Sequence, residues 1–132
     1  MPFQSTDKLT GGVFITFAGN CKKALTFYQT CFGGTLHFET FEKELQGYEE
    51  KPVVSASLVA DSIVIYGSDM VHNEGRKIGN YLSVFLPFKN AADRNILIHK
   101  LASDNKKLSP STYQQKLIEV TDAFDVNWIL AV

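Results

Sequence analysis

The sequence predicts an α+β fold of two successive βαβββ modules, and three observations carry that prediction. A short run of β-forming residues leads into an amphipathic helix that stops at a glycine pair. Alternating segments separated by turn-forming residues follow. The same order of elements then restarts roughly 65 residues later. Either module alone would bury too little surface and leave sheet edges open, so the two must pair, within the chain or between chains.

The first strand is Val13 to Phe17, after Gly11-Gly12 and before Ala18-Gly19-Asn20. Asn20 can cap a helix whose Ala24, Leu25, Tyr28, Cys31 and Phe32 fall on one stripe, opposite Lys22, Lys23, Thr26 and Gln29. Phe27 lies off that stripe and is free to meet a second surface. Gly33-Gly34 tolerate the left-handed turn that ends the helix. Thr35 to Phe41 alternates, with Leu36 and Phe38 on one face and Thr35, His37, Glu39 and Phe41 on the other. Residues 42–52 are charged and read as a loop. Val53 to Ala60 and Ser62 to Gly67 read as strands joined by a tight turn at Asp61-Ser62.

Ser68 to Gly79 has linker composition, so the first module spans about 12–69 and the linker about 70–79. The second module spans about 80–132. It opens with a strand over Tyr81 to Leu86, which Pro87 ends or edges. Asn90 and Asp93 start a capped helix that carries Ile98, Leu101 and Ala102, with Arg94 and Leu97 beside them, as far as Asn105. Strands over Ser111 to Gln115, Lys116 to Thr121 and Val126 to Val132 complete it.

A chain of 132 residues suffices for one ordinary domain and is too short for a separate cofactor domain. Thirteen basic and fourteen acidic residues leave a net charge of -1, with no basic run to follow a phosphate backbone, which argues against nucleic acid. No apolar stretch reaches the roughly 18 residues of a membrane span, and Met1 to Asp7 lacks the features of a signal peptide. The expectation is a cytoplasmic protein that touches no membrane. Cys21 and Cys31 flank one helix, which sets their Cα atoms about 15 Å apart at about 1.5 Å per residue, too far for a disulfide. Reduced, buried or inert thiols fit a reducing compartment.

The string Phe17-Ala18-Gly19-Asn20-Cys21-Lys22-Lys23-Ala24-Leu25-Thr26-Phe27-Tyr28, followed by Cys31-Phe32-Gly33-Gly34, resembles the opening of the vicinal oxygen chelate superfamily of glyoxalase, bleomycin-resistance and dioxygenase proteins. More narrowly it resembles the PhnB-like branch. Asp122 to Ile129 resembles that branch's closing D-x-F-G-x-x-W pattern, with Asp125 where the family usually has glycine. The resemblance implies paired βαβββ modules whose mixed sheets curl around a cleft, completed in a homodimer to which Phe14, Phe17 and Phe85 could contribute.

Enzymes of that superfamily hold one divalent metal with His and Glu side chains on cleft strands. Here the first strand offers only Val13, Phe14, Ile15, Thr16 and Phe17. Ser55-Ala56-Ser57-Leu58 stands where relatives carry His, Ser83 or a neighbour opens the second module, and Ile129 falls about where metal enzymes place Glu. A metal site would need unusual positions, His37, Glu39 and Glu119. His37 and Glu39 share a strand face able to chelate, but read more readily as a solvent-facing pair on an edge strand. His72 and His99 read as surface residues.

The cleft candidates that remain are Thr16, Ser55, Ser57, Ser83, Tyr113 and Trp128, a set of hydroxyls and aromatics suited to a small apolar or aromatic ligand. Tyr113 and Trp128 can also be read as core packing. No phosphate loop, nucleophile elbow, zinc set or dinucleotide fingerprint is present. The chain also lacks the Gly-rich strand-to-helix turn of a usual methyl-donor domain, which argues against a methyltransferase. The leading expectation is a small-molecule-binding homodimer with no metal cofactor. The alternatives are a lyase, isomerase or dioxygenase with one divalent metal on displaced ligands, and a structural dimer.

Overall fold

The computed structural model describes residues 11–40, 52–69, 79, 81–102 and 111–132. The chain divides into two compact units, Met1–Arg76 and Lys77–Val132, each with its own sheet and helix. The expected loop at 42–51, the linker at 70–78 and the helix end at 103–105 lie outside the described residues.

In the first unit β1 (Val13–Phe17) runs into α1 (Cys21–Phe32), followed by β2 (Thr35–Thr40), β3 (Val53–Val59) and β4 (Val64–Asp69). The sheet order is β1-β4-β3-β2, with β1 parallel to β4 and the other pairs antiparallel. Asp61 and Ser62 form the expected two-residue turn, closed where the Ala60 N–H donates to the Ile63 carbonyl at 3.0 Å. Ser68 and Asp69, read as lying beyond a strand that ends at Gly67, pair with Thr16 and Phe17 and extend β4.

Register decides which side chains meet α1. Ile15, Gly67, Ala56 and Phe38 lie level with one another across the four strands, and Val13, Ile65, Leu58 and Leu36 form the next row. These rows face Ala24, Leu25 and Tyr28 of the helix, and that layer is the core of the unit. Each large apolar side chain removed from water there contributes about 1.5–3 kcal/mol. Phe17 is fully buried in the same layer, so it is a core residue and contributes nothing to an exposed interface.

The ends of α1 are fixed by different means. Asn20 occupies the N-cap position but makes no side-chain cap bond. That role passes to Asp69 of β4, whose Oδ1 accepts the N–H groups of Gly19 at 2.9 Å and Cys21 at 3.0 Å. At the other end Gly33 and Gly34 have φ of 71° and 97°. A Cβ on Gly34 would also strike the Val59 carbonyl, so this turn needs glycine on two counts.

The second unit contains β5 (Val84–Pro87), α2 (Ala91–Leu101), β6 (Leu117–Thr121) and β7 (Asn127–Ala131), with sheet order β5-β7-β6. This repeats the β1-β4-β3 pattern, the outer strand again parallel to the last. Asn90 caps α2 as expected, its Oδ1 accepting the Asp93 N–H at 2.8 Å. Tyr81 to Ser83 lie outside the strand.

The strand expected over Ser111 to Gln115 is a 3₁₀ turn at Thr112–Gln114. Its cause is Arg94, 1% exposed, which donates to the carbonyls of Tyr113, Gln115 and Lys116 at 2.8–3.3 Å. An extended strand sends successive carbonyls to opposite sides, whereas one guanidinium can gather three only where the backbone turns. Among the described residues the second module is therefore βαββ.

Candidate functional site

The face of the first sheet opposite α1 collects most of the sequence candidates. Phe14, Tyr66, Ser57 and His37 are direct register partners across β1, β4, β3 and β2. Thr16 lies beside Ser68, and Ser55 beside Glu39. The Ser55 hydroxyl donates to Glu39 Oε2 at 3.3 Å. With adjacent strands about 4.8 Å apart, the row from Phe14 to His37 is about 14 Å wide. Thr16, Ser55 and Ser57, read from sequence as ligand candidates, thus share one surface with His37 and Glu39, read as a weak metal pair. Phe14 is 57% exposed there, while Tyr66, Ser55, Ser57 and Ser68 are half-buried.

Tyr66 and Ser68 belong to this face and are not among the sequence candidates, and Phe14, read from sequence as a dimer contributor, lies on it too. Their signal is strand parity, which places Tyr66 and Ser68 opposite Ile65 and Gly67. Parity shows that the two sets face opposite ways but not which of them meets the helix. Packing supplies that answer: a Cβ on Gly67 would meet Cys21 Sγ of α1, so the Ile65 and Gly67 side faces the helix.

The other candidates stand elsewhere. Ser83 is exposed just before β5. Tyr113 lies on the 3₁₀ turn, its ring stacked on His99 of α2 at 5.8 Å between centroids, so α2 and not a sheet face positions it. Trp128 is fully buried and level with Val84 and Val120, in the layer of Leu86, Ile118 and Leu130 that packs with Leu97, Ile98 and Leu101 of α2. Its indole Nε1–H donates to Asp122 Oδ2 at 2.9 Å. The expectation that Trp128 borders a ligand cavity is therefore corrected: alternation rightly grouped it with Leu130, but that is the helix-facing side.

Glu119 is exposed on the opposite face of the second sheet, level with Ile129 and Phe85. The residues available for a divalent metal can be judged by their donors. His37 and Glu39, two apart on one strand face, could supply a pair. No group of three or more His, Cys, Asp or Glu side chains comes together among the described residues. A tightly held catalytic metal generally takes three protein ligands, so the donors that come together among the described residues do not make the metal site that the resemblance implies. No reaction step is assigned through it.

Cys21 is buried beneath the sheet, and its thiol is pushed up to about 12, first by burial and second by the carboxylate of Asp69. A thiol so far from ionisation is not a nucleophile near neutrality.

An antiparallel-and-parallel sheet covered by one helix, repeated in a second unit with the same strand order, defines the fold of the vicinal oxygen chelate proteins, the glyoxalase/bleomycin-resistance/dioxygenase fold. Solved structures agree. Protein PA1353 from Pseudomonas aeruginosa matches with a TM-score of 0.74 at 25% identity, over 94% of this chain and 97% of that one. The PhnB protein from Bacillus cereus matches with a TM-score of 0.72 at 19% identity, over 93% and 98%. The fosfomycin resistance protein FosX from Mesorhizobium loti matches with a TM-score of 0.54 at 12% identity, over 96% and 91%. No protein-family model matches the sequence, and no curated protein matches it. No helix among the described residues is long and apolar enough to cross a membrane.

Proposed function

We propose that the protein binds a small, partly apolar or aromatic molecule on the open face of its first sheet, without the metal chemistry usual for its superfamily. One observation supports this above the others: Phe14, Tyr66 and Ser57 lie in one row across β1, β4 and β3, and Thr16, Ser68 and Ser55 lie one row away. Small-molecule sites combine apolar surface with a few placed polar groups, and this face does so on four rigid strands. The same row in the second sheet is Phe85, Ile129 and Glu119, and the hydroxyl one row away, Thr121, already donates to Asn127 Oδ1 at 2.8 Å. The ligand therefore belongs to the first unit.

The proposed assembly is a homodimer in the cytoplasm. Phe85 and Leu117, 58% and 57% exposed on one face of the second sheet, support an apolar interface there. Sedimentation equilibrium is expected to give twice the 14.7 kDa chain mass, and a monomer at micromolar concentration contradicts it.

Thermal-shift screening of a small-molecule library tests the binding reading. A ligand at 100 times its dissociation constant adds about 2.7 kcal/mol. Hits are expected to lose their effect in Tyr66→Ala and Ser57→Val and to keep it in Leu117→Ser. Hits that survive both first-sheet substitutions overturn the placement of the site.

A further inference from the structure

Histidine aside, the charged side chains on the described strands are of one sign. No Lys or Arg occurs on any strand among the described residues, although the chain has thirteen. On the open face of the first sheet the carboxylate is Glu39, at the exposed edge strand β2, with the Ser55 hydroxyl donating to it and His37 two residues away on the same strand face. The other strand carboxylate, Asp69, lies on the opposite face and is occupied by three backbone N–H groups. The open face offers no Lys or Arg to neutralise an anion, and its imidazole, His37, shares a strand with Glu39. It offers a carboxylate, hydroxyl oxygens that accept hydrogen bonds, and the rings of Phe14 and Tyr66, whose faces attract cations.

We propose that the ligand is an organic cation, a protonated amine joined to an apolar or aromatic body, and this rests on the open-face reading above. The body lies against Tyr66 and Phe14. The ammonium reaches Glu39, with Ser57 between the two ends. Tyr66 and Glu39 stand two strand spacings apart across the sheet and two residues apart along it, about 12 Å, which sets the distance between body and ammonium. A carboxylate or phosphonate in that position would meet Glu39 with like charge and find no Lys or Arg on the described strands.

Three probes with one body and different heads test this: 4-phenylbutylamine, 4-phenylbutan-1-ol and 4-phenylbutyrate, titrated calorimetrically into the wild type and Glu39→Gln. The amine is expected to bind most tightly and the carboxylate least. Glu39→Gln should weaken the amine about fivefold, the upper range for an exposed ion pair, and leave the alcohol unchanged. Added salt should weaken the amine alone. Glu39 is exposed, so the variant is expected to melt with the wild type, and a circular dichroism melt checks it. Alcohol or carboxylate binding as tight as the amine overturns the cation inference while leaving the small-molecule reading standing. Indifference of the amine to Glu39→Gln, or no binding by any probe, also overturns it, and the library screen then judges the broader reading separately.

Discussion

Asp69, the last residue of β4, accepts the backbone N–H of Cys21, the first residue of α1, at 3.0 Å across 48 positions of sequence. The same carboxylate accepts the N–H of Gly19 at 2.9 Å, and its other oxygen accepts the N–H of Val53 at 2.9 Å. One side chain thus ties the β1–α1 connection, the start of β3 and the end of β4 together. These are the strands that carry Thr16, Ser55 and Ser68.

Replacing Asp69 by Ala leaves three backbone donors without this acceptor, two of the bonds being buried, and removes negative charge from a helix N-terminus. The variant is expected to lose about 3 kcal/mol of stability, with Asp69→Asn losing less. Urea unfolding measures both. A loss below about 1 kcal/mol for the Ala variant would mean the cap is not what orders this corner.

Cys21 makes the fold sensitive to alkali. Its thiol is raised to about 12 in the folded protein, so above the unfolded thiol range the unfolded chain gives up a proton that the native chain retains. Stability contributed by this group is whole below about pH 8.5 and falls progressively as pH rises towards 12. Unfolding curves of wild type and Cys21→Ala should therefore converge in this interval. The native thiol should also resist alkylation at pH 8, and rapid modification of Cys21 in folded protein would contradict its burial.

Asp125 has φ 68°, a left-handed conformation, at the position where the PhnB-like pattern carries glycine. The turn is held around it by Asp122, whose Oδ1 accepts the N–H groups of Phe124 at 2.8 Å and Val126 at 3.1 Å. Asp125→Gly removes the Cβ strain and is expected to raise stability by about 0.5–1 kcal/mol. A lower melting temperature for this variant would show that the Asp125 side chain contributes more than its backbone costs.

Trp128 is the chain's single tryptophan and faces the second unit's core. Trp128→Phe removes both ring volume and the indole bond to Asp122, so a destabilisation of about 2 kcal/mol is expected, measured by thermal unfolding. Ligands of the first sheet should leave its emission unchanged. Quenching by such a ligand would contradict the placement of Trp128 inside the second unit.

Local patterns made the elements legible: the stripe from Ala24 to Tyr28, the Asp61-Ser62 turn and the Asn90 cap all stand where the residues put them. Features made by distant partners were not legible. The Asp69 cap joins groups 48 residues apart, and Arg94 reshapes a segment about 20 residues away that reads as a strand. The site divides in the same manner. Thr16, Ser55 and Ser57 could be picked out as polar residues on apolar strands, but Tyr66 and Ser68 join them only through the register of β4. Trp128 shows the limit of alternation, which groups residues by side without saying which side a helix covers.

Backbone amide shift mapping during titration with a screened ligand tests the central claim most directly. The predicted result is a contiguous set of shifts at Phe14, Thr16, Ser57 and Tyr66, with Trp128 and the other residues of β7 unmoved. Shifts centred on β5 to β7, with β1, β3 and β4 silent, would contradict the assignment of the ligand face to the first sheet.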